Sequence, residues 1–215
     1  MRSYVVIGLG RFGTEAAKRL CQLGCEVLVI DQKSELVQQI SDSVTQAVVG
    51  DARDKGVLRA LGVSDFECAI VGIGDSLADS ILATMNLKEL GVPYVVCKAY
   101  DETHRQVLQK LGADMVVIPE HEQANRLARS LSNPNVLDYI ALSEDFAIVE
   151  VPVPADWVGK SLKDLNVRAK LGVNIIAIKQ GASVNVSPGA DYTMQPDDVM
   201  VVLGDTKALK AVQKL

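Results

Sequence analysis

Aromatic residues make up only 4% of this 215-residue chain, with a single tryptophan. Histidine is nearly absent, His104 and His121 being the two, which leaves little material for a histidine-based metal site. The four cysteines, Cys21, Cys25, Cys68 and Cys97, show no C-x-x-C spacing and lie in apolar segments. Buried reduced thiols are therefore expected, not a disulfide or metal framework. No apolar run approaches the roughly 18–20 residues that span a bilayer, so any membrane role has to run through a partner. The apolar start turns into a glycine turn without a small-residue cleavage site, and no signal peptide is expected. Basic excess is missing as well. The net charge of −5 and a pI near 5.1 argue against a nucleic-acid partner and read as ordinary solubility.

What is present is a large apolar fraction, 48% against 23% charged, enough to bury a core. Short β-branched runs alternate with helical patterns along the first half. VVIG (5–8), EVLVID (26–31), QAVVGD (46–51), ECAIVGIG (67–74), YVVCKA (94–99) and DMVVIP (114–119) read as strands. Helical segments follow each one, at about 11–23, 33–40, 54–62, 76–91, 102–112 and 120–131. Continuous apolar strands, each followed by a helix, predict an α/β fold, a Rossmann-type doubly wound parallel sheet covered on both faces.

SNPN (132–135) is a turn-rich break after which the pattern changes. VLDYIAL, FAIVEVPV, VNIIAIKQ, ASVNVS and DVMVVLGD read as strands, with a brief helix near SLKDLNVRAKLG and a terminal helix TKALKAVQKL. Gly172 is expected to end the middle helix, and Pro196-Asp197-Asp198 to turn the chain into the last strand. Residues 136–215 thus predict a small α+β domain after a nucleotide-binding domain at 1–133.

The densest motif is GLGRFG between the first strand and first helix. Gly8 permits the tight turn, Gly10 lets phosphate approach the backbone, and Gly13 allows close helix–strand packing. The helix start aims its N–H groups and positive dipole end at that phosphate. Asp31 closes the second strand, where an acid holds a ribose hydroxyl pair and disfavours a 2′-phosphate, so NAD is favoured over NADP. Phe12, Gln32, Ala52 and Ile73, which flank these positions, complete the expected cofactor-binding set with Asp51 and Gly74 at strand ends.

Arg11 places a guanidinium at the phosphate-facing helix start. It reads equally as a clamp on a terminal phosphate or as a solvated arginine. Lys98, at the end of the fifth strand, is either a phosphate-facing point charge or a snorkelling side chain. Glu120 opens a helix, where the dipole alone favours an acid; the sharper reading makes it a ligand of a hard cation beside phosphates. VGKS (158–161) is not a P-loop, because Pro154 stands where that motif needs glycine.

Two functions of different class fit this arrangement. A small NAD-dependent oxidoreductase needs a proton-transfer group brought by the second domain, yet residues 136–215 hold no histidine and few paired polar groups. Nucleotide binding without turnover is the better reading. A redox-sensing regulator using NADH is weaker still, for want of a DNA-binding helix pair.

GLGRFG, Asp31, GIGDS, CKAY, LGADMVVIPE, SLKDLNVRAKLGVNIIAIKQG and DDVMVVLGD together resemble the regulator-of-potassium-conductance (RCK) family over nearly the whole chain. The likeness is closest to the cytosolic regulatory subunits of Ktr and Trk potassium uptake systems. That resemblance implies a non-enzymatic subunit that binds ATP, ADP or NAD(H) and forms dimers assembled into an octameric ring. The ring would lie at the inner face of the membrane under a potassium transporter subunit of the KtrB or TrkH kind. It implies that Gly8, Gly10 and Gly13 form the phosphate loop, that Asp31 holds the ribose, and that Arg11 and Lys98 meet the terminal phosphates. Glu120 would help hold a divalent or monovalent cation near the γ-phosphate. In some family members paired C-terminal domains bind cyclic di-AMP; the matching positions here are Arg168, Asn174, Ile175, Ile176 and Pro188.

Overall fold

The computed structural model describes residues 2–132, 136–143 and 145–212. Asn133, Pro134 and Asn135 of the expected break, and the last three residues of the expected terminal helix, lie outside the described residues. The chain divides into two compact units, Met1–His121 and Glu122–Leu215.

The first unit alternates β1 (Ser3–Ile7), α1 (Arg11–Gln22), β2 (Glu26–Asp31), α2 (Ser34–Ile40), β3 (Gln46–Val49) and α3 (Lys55–Ala60). It continues with β4 (Cys68–Val71), α4 (Leu77–Glu89), β5 (Tyr94–Lys98), α5 (Glu102–Lys110) and β6 (Met115–Val117). α6 (Pro119–Ser132) follows, so the division between units falls inside it. The six strands form one parallel sheet in the order β3-β2-β1-β4-β5-β6. The order reverses between β1 and β4, the place where open α/β sheets bind ligands beyond their strand ends.

The apolar runs lack alternation because each strand feeds two cores. Val5 and Ile7 of β1 and Leu28 and Ile30 of β2 pack with Leu58, Leu87 and Leu108 of α3, α4 and α5. Val6, Val27 and Val29, the residues between them, pack with Ala17, Val37 and Ile40 of α1 and α2. Each fully buried Val, Leu or Ile contributes about 1.5–3 kcal/mol, so both faces hold the sheet. The four cysteines are free. Burial pushes the Cys68 and Cys97 thiols up to about 11, which keeps them protonated and inert at neutral pH.

The second unit contains β7 (Asp138–Ala141), β8 (Phe146–Pro152), α7 (Leu162–Leu165), α8 (Val167–Leu171), β9 (Asn174–Gln180), β10 (Ser183–Val186), β11 (Val199–Asp205) and α9 (Thr206–Val212). Its strands pair antiparallel in the order β10-β9-β11-β8-β7. Alternate residues point inward, Ala147, Val149 and Val151 meeting Met200 and Val202 around Trp157, Leu165 and Leu209. The single helix expected near 161–172 is two short ones. Asn166 takes a left-handed conformation with φ 46° between them, a conformation asparagine tolerates better than most side chains. Gly172, at φ 71°, ends α8 as expected. The expected turn before the last strand is built around Asp198, which accepts from Gln195 N at 2.8 Å and Tyr192 Oη at 2.9 Å.

Candidate functional site

A cleft of about 400 Å³ opens over the reversal point of the parallel sheet. Its floor is the turn from β1 into α1. Gly8 has φ 88°, a left-handed conformation that favours glycine. A Cβ on Gly13 would lie 2.0 Å from the Gly8 carbonyl oxygen, and one on Gly72 would lie 3.0 Å from the same atom. The glycine pair thus holds the start of α1 against the end of β4, and Gly72 serves that contact beyond ordinary turn chemistry. Gly13 is walled off behind Gly8, while Gly8, Gly10, Arg11 and Phe12 line the cleft.

The start of α1 is built for an anion. Gly10 supplies no side-chain cap, the first turn holds no acid, and the first turn's N–H groups have no partners within the helix. Arg11 is exposed at that end. It makes no hydrogen bond or ion pair among the described residues, although it lies near enough to Glu120 to help lower that carboxyl. On the other side of the reversal point, Lys98 lines the cleft with a side chain only 15% exposed. Its Nζ donates to Glu120 Oε1 at 2.7 Å, and this bond holds the Glu120 carboxyl below the usual range. A Cβ on Gly74 would sit 3.3 Å from Lys98 Nζ. Gly74 is there to let the ammonium pass.

Asp31 closes β2 with both carboxylate oxygens in use. Oδ2 accepts from Leu9 N at 2.6 Å and Oδ1 from Lys33 N at 2.8 Å. A carboxylate has about four lone-pair sites, so Asp31 keeps acceptor capacity beyond the two amides that aim it. Gln32, Ala52, Ile73 and Gly74 also line the cleft. Asp51 does not. Arg53 takes its carboxylate through Nε at 2.9 Å and Nη2 at 2.7 Å, with Gln32 Nε2 at 3.0 Å. The Arg53 hydrogen bond holds the Asp51 carboxyl below its ordinary value.

Glu120 does not line the cleft either and reaches it through Lys98. No group of three or more His, Cys, Asp or Glu side chains suited to a metal ion occurs among the described residues. Arg168, Asn174, Ile175, Ile176 and Pro188 lie in the second unit and are not among the residues that line the cleft. Arg168 and Asn174 are exposed, whereas both isoleucines and Pro188 are half-buried. Ser187 N donates to Ile176 O at 3.0 Å, with Ser187 at φ 62°, so the residue before Pro188 is tied to β9.

Sequence reasoning passed over Asp79, Arg53 and Asn86. Ser76 caps α4 by accepting from Asp79 N at 3.3 Å, and that Ser-x-x-Asp spacing was a legible sign of a helix start. Nothing in the sequence indicated that Asp79 lines the cleft and pairs with Arg53 at 3.2 Å.

Residues 4–119 match the TrkA-N domain family and residues 146–215 the TrkA-C domain family. The Ktr system potassium uptake protein C of Bacillus subtilis (strain 168) is 41% identical over 213 residues, spanning 99% of this chain and 96% of its own. The Ktr system potassium uptake protein A of Vibrio alginolyticus is 34% identical over 203 residues, spanning 94% and 92%. Among solved structures, the GsuK channel superposes with a TM-score of 0.70 at 20% identity, and a GsuK channel bound to NAD with 0.66 at 19%. Both cover 100% of this chain, which spans 39% of theirs. That likeness is one of fold. No described helix is long and apolar enough to cross a membrane.

Proposed function

The chain belongs to the family that joins a TrkA-N domain to a TrkA-C domain, and from that premise we propose that it is the nucleotide-sensing regulatory subunit of a Ktr-type potassium uptake system. The observation that carries this reading is the uncapped start of α1, where Arg11 makes no hydrogen bond or ion pair among the described residues and Lys98, bonded to Glu120, stands beside Gly74. Two cations and a row of free amides make a site that responds to phosphate number.

In this reading the backbone of Gly8 and Gly10 cradles the diphosphate, Asp31 accepts from the ribose, and Arg11 and Lys98 meet the terminal phosphates of ATP or ADP. NAD(H) fits the same turn, as the relatedness to an NAD-bound channel fold allows. A bound divalent cation would supply charge neutralisation at the phosphates. Glu120 is one carboxylate, so phosphate oxygens have to provide the other ligands. The subunit works by binding and not by turnover, at the cytoplasmic face of a membrane-embedded potassium transporter and as a ring of copies. A nucleotide shifts such a ring only by the difference in its affinity for two conformations.

The second unit supplies a second ligand surface, for cyclic di-AMP. It is supported by exposed Arg168 and Asn174 beside the half-buried Ile175, Ile176 and Pro188. Titration of ATP, ADP and NADH into the purified chain, with the assembly mass measured in each, tests the central reading. Nucleotide binding without hydride transfer supports it; failure to bind, or turnover of NADH with a small substrate, overturns it.

A further inference from the structure

Asp79, Asn86 and Glu89 stand seven and three residues apart on α4, which places them on one face of the helix. All three reach back to the segment that follows β3. Asn86 Nδ2 donates to Ala52 O at 3.1 Å and to Arg53 O at 2.9 Å. Arg53 Nη1 donates to Asp79 Oδ1 at 3.2 Å, while its other nitrogens hold Asp51. Lys55 Nζ, one turn further on, meets Glu89 Oε2 at 2.6 Å.

This polar stripe has a physical cause. The β2–β3 ladder ends at Val49, so the segment beyond it has no strand to take its carbonyls, yet Ala52 is only 5% exposed. A buried carbonyl needs a partner, and Asn86 supplies one to two successive carbonyls. The same segment walls the cleft through Gly50 and Ala52. Gly50 N donates to Asp31 O at 3.0 Å, so this wall stands at the ribose-binding acid, away from the phosphate end at Gly10 and Lys98.

We propose that Asn86 and Arg53 are positioning residues for the base end of the bound nucleotide, holding the 50–53 segment at the spacing a base requires. The proposal rests on the nucleotide reading of the cleft given above. Neither side chain lines the cleft; both act through the backbone of Gly50 and Ala52. Because they act at one end, their loss should weaken every ligand that carries a base and spare a ligand made of phosphate alone.

The test is titration of ATP, ADP and inorganic tripolyphosphate into the full chain and its Asn86→Ala, Asn86→Asp and Arg53→Ala variants. Asn86→Ala is expected to weaken ATP and ADP alike by about tenfold, the scale of one lost hydrogen-bonding partner. The ATP-to-ADP ratio and tripolyphosphate affinity should stay at wild-type values. Asn86→Asp, isosteric but facing two carbonyls with an acceptor, should lose more than the alanine variant, which a space-filling role would not produce. Arg53→Ala removes a side chain that is 42% exposed and repeats the experiment should either Asn86 variant fail to fold. Wild-type ATP affinity in the folded variants overturns the proposal, as does an equal loss for tripolyphosphate. A wild-type chain that binds no nucleotide overturns the reading of the cleft itself, and this inference with it.

Discussion

Lys98 at the end of β5 and Glu120 at the start of α6 are bonded across 2.7 Å, and the lysine is the buried partner while the glutamate is 65% exposed. If a phosphate chain meets Lys98, ligand and carboxylate compete for one ammonium. Glu120→Gln is expected to tighten ADP binding by about three- to tenfold with divalent cations chelated, since a neutral amide holds Lys98 less strongly. Lys98→Met should weaken ADP by about tenfold or more under the same conditions. Weaker ADP binding by Glu120→Gln in chelator would contradict the competition.

Arg11 has neither a hydrogen bond nor an ion pair among the described residues and stands at the uncapped start of α1. If it meets the last phosphate, Arg11→Ala removes most of the difference between ATP and ADP while ADP affinity changes little. A paired titration reads that ratio directly. An undiminished ratio in the variant would leave the guanidinium as a solvated side chain.

Two glycines of one motif should respond in opposite ways. A Cβ on Gly13 meets the Gly8 carbonyl oxygen at 2.0 Å, whereas a Cβ on Gly10 meets nothing within 4 Å. Gly13→Ala is expected to lower stability by about 1–3 kcal/mol or more, the usual cost of forcing extra volume into packed structure. Gly10→Ala should melt like the wild type yet bind nucleotide more weakly, because its methyl occupies the space of an approaching phosphate. Thermal melts with and without ADP separate the two.

His104 gives the first unit a pH dependence of known sign. It is 1% exposed, neither ring nitrogen has a hydrogen-bond partner among the described residues, and the Tyr100 ring lies 4.8 Å away. Burial lowers its pKa from the ordinary 6.5, against a smaller opposing pull from Asp101. The unfolded chain therefore takes up the proton first, and stability falls as pH drops below 6.5 towards the lowered folded value. His104→Leu should flatten that part of the stability curve and hold or raise stability at pH 7.5, since no bond is lost. Chemical denaturation at pH 7.5, 6.5 and 5.5 would show it; an unchanged slope would assign the dependence elsewhere.

Much of this was written in local pattern. Period and punctuation located each strand of the two sheets, because a run such as VVIG can be satisfied in only a few ways. Gly8 and Asp31 were legible for the same reason: a tight turn and a strand-end acid are one-dimensional signals. The helix at 161–172 was legible as helix but not as two, since the left-handed turn at Asn166 costs asparagine little and leaves no mark in composition.

Composition and spacing by themselves determined the α/β class, the glycine turn after β1 and the strand-end positions of Asp31 and Lys98, because those features depend on residues close in sequence. Only the tertiary structure decided which charges remain free to meet a ligand. Arg53 reaches Asp79 26 residues on, Lys98 is shared with Glu120 22 residues away, and Asn86 holds carbonyls 34 and 33 residues back. Such pairings depend on which strand ends the sheet order brings together, and hydrogen bonds of a few ångströms register that proximity where sequence distance does not.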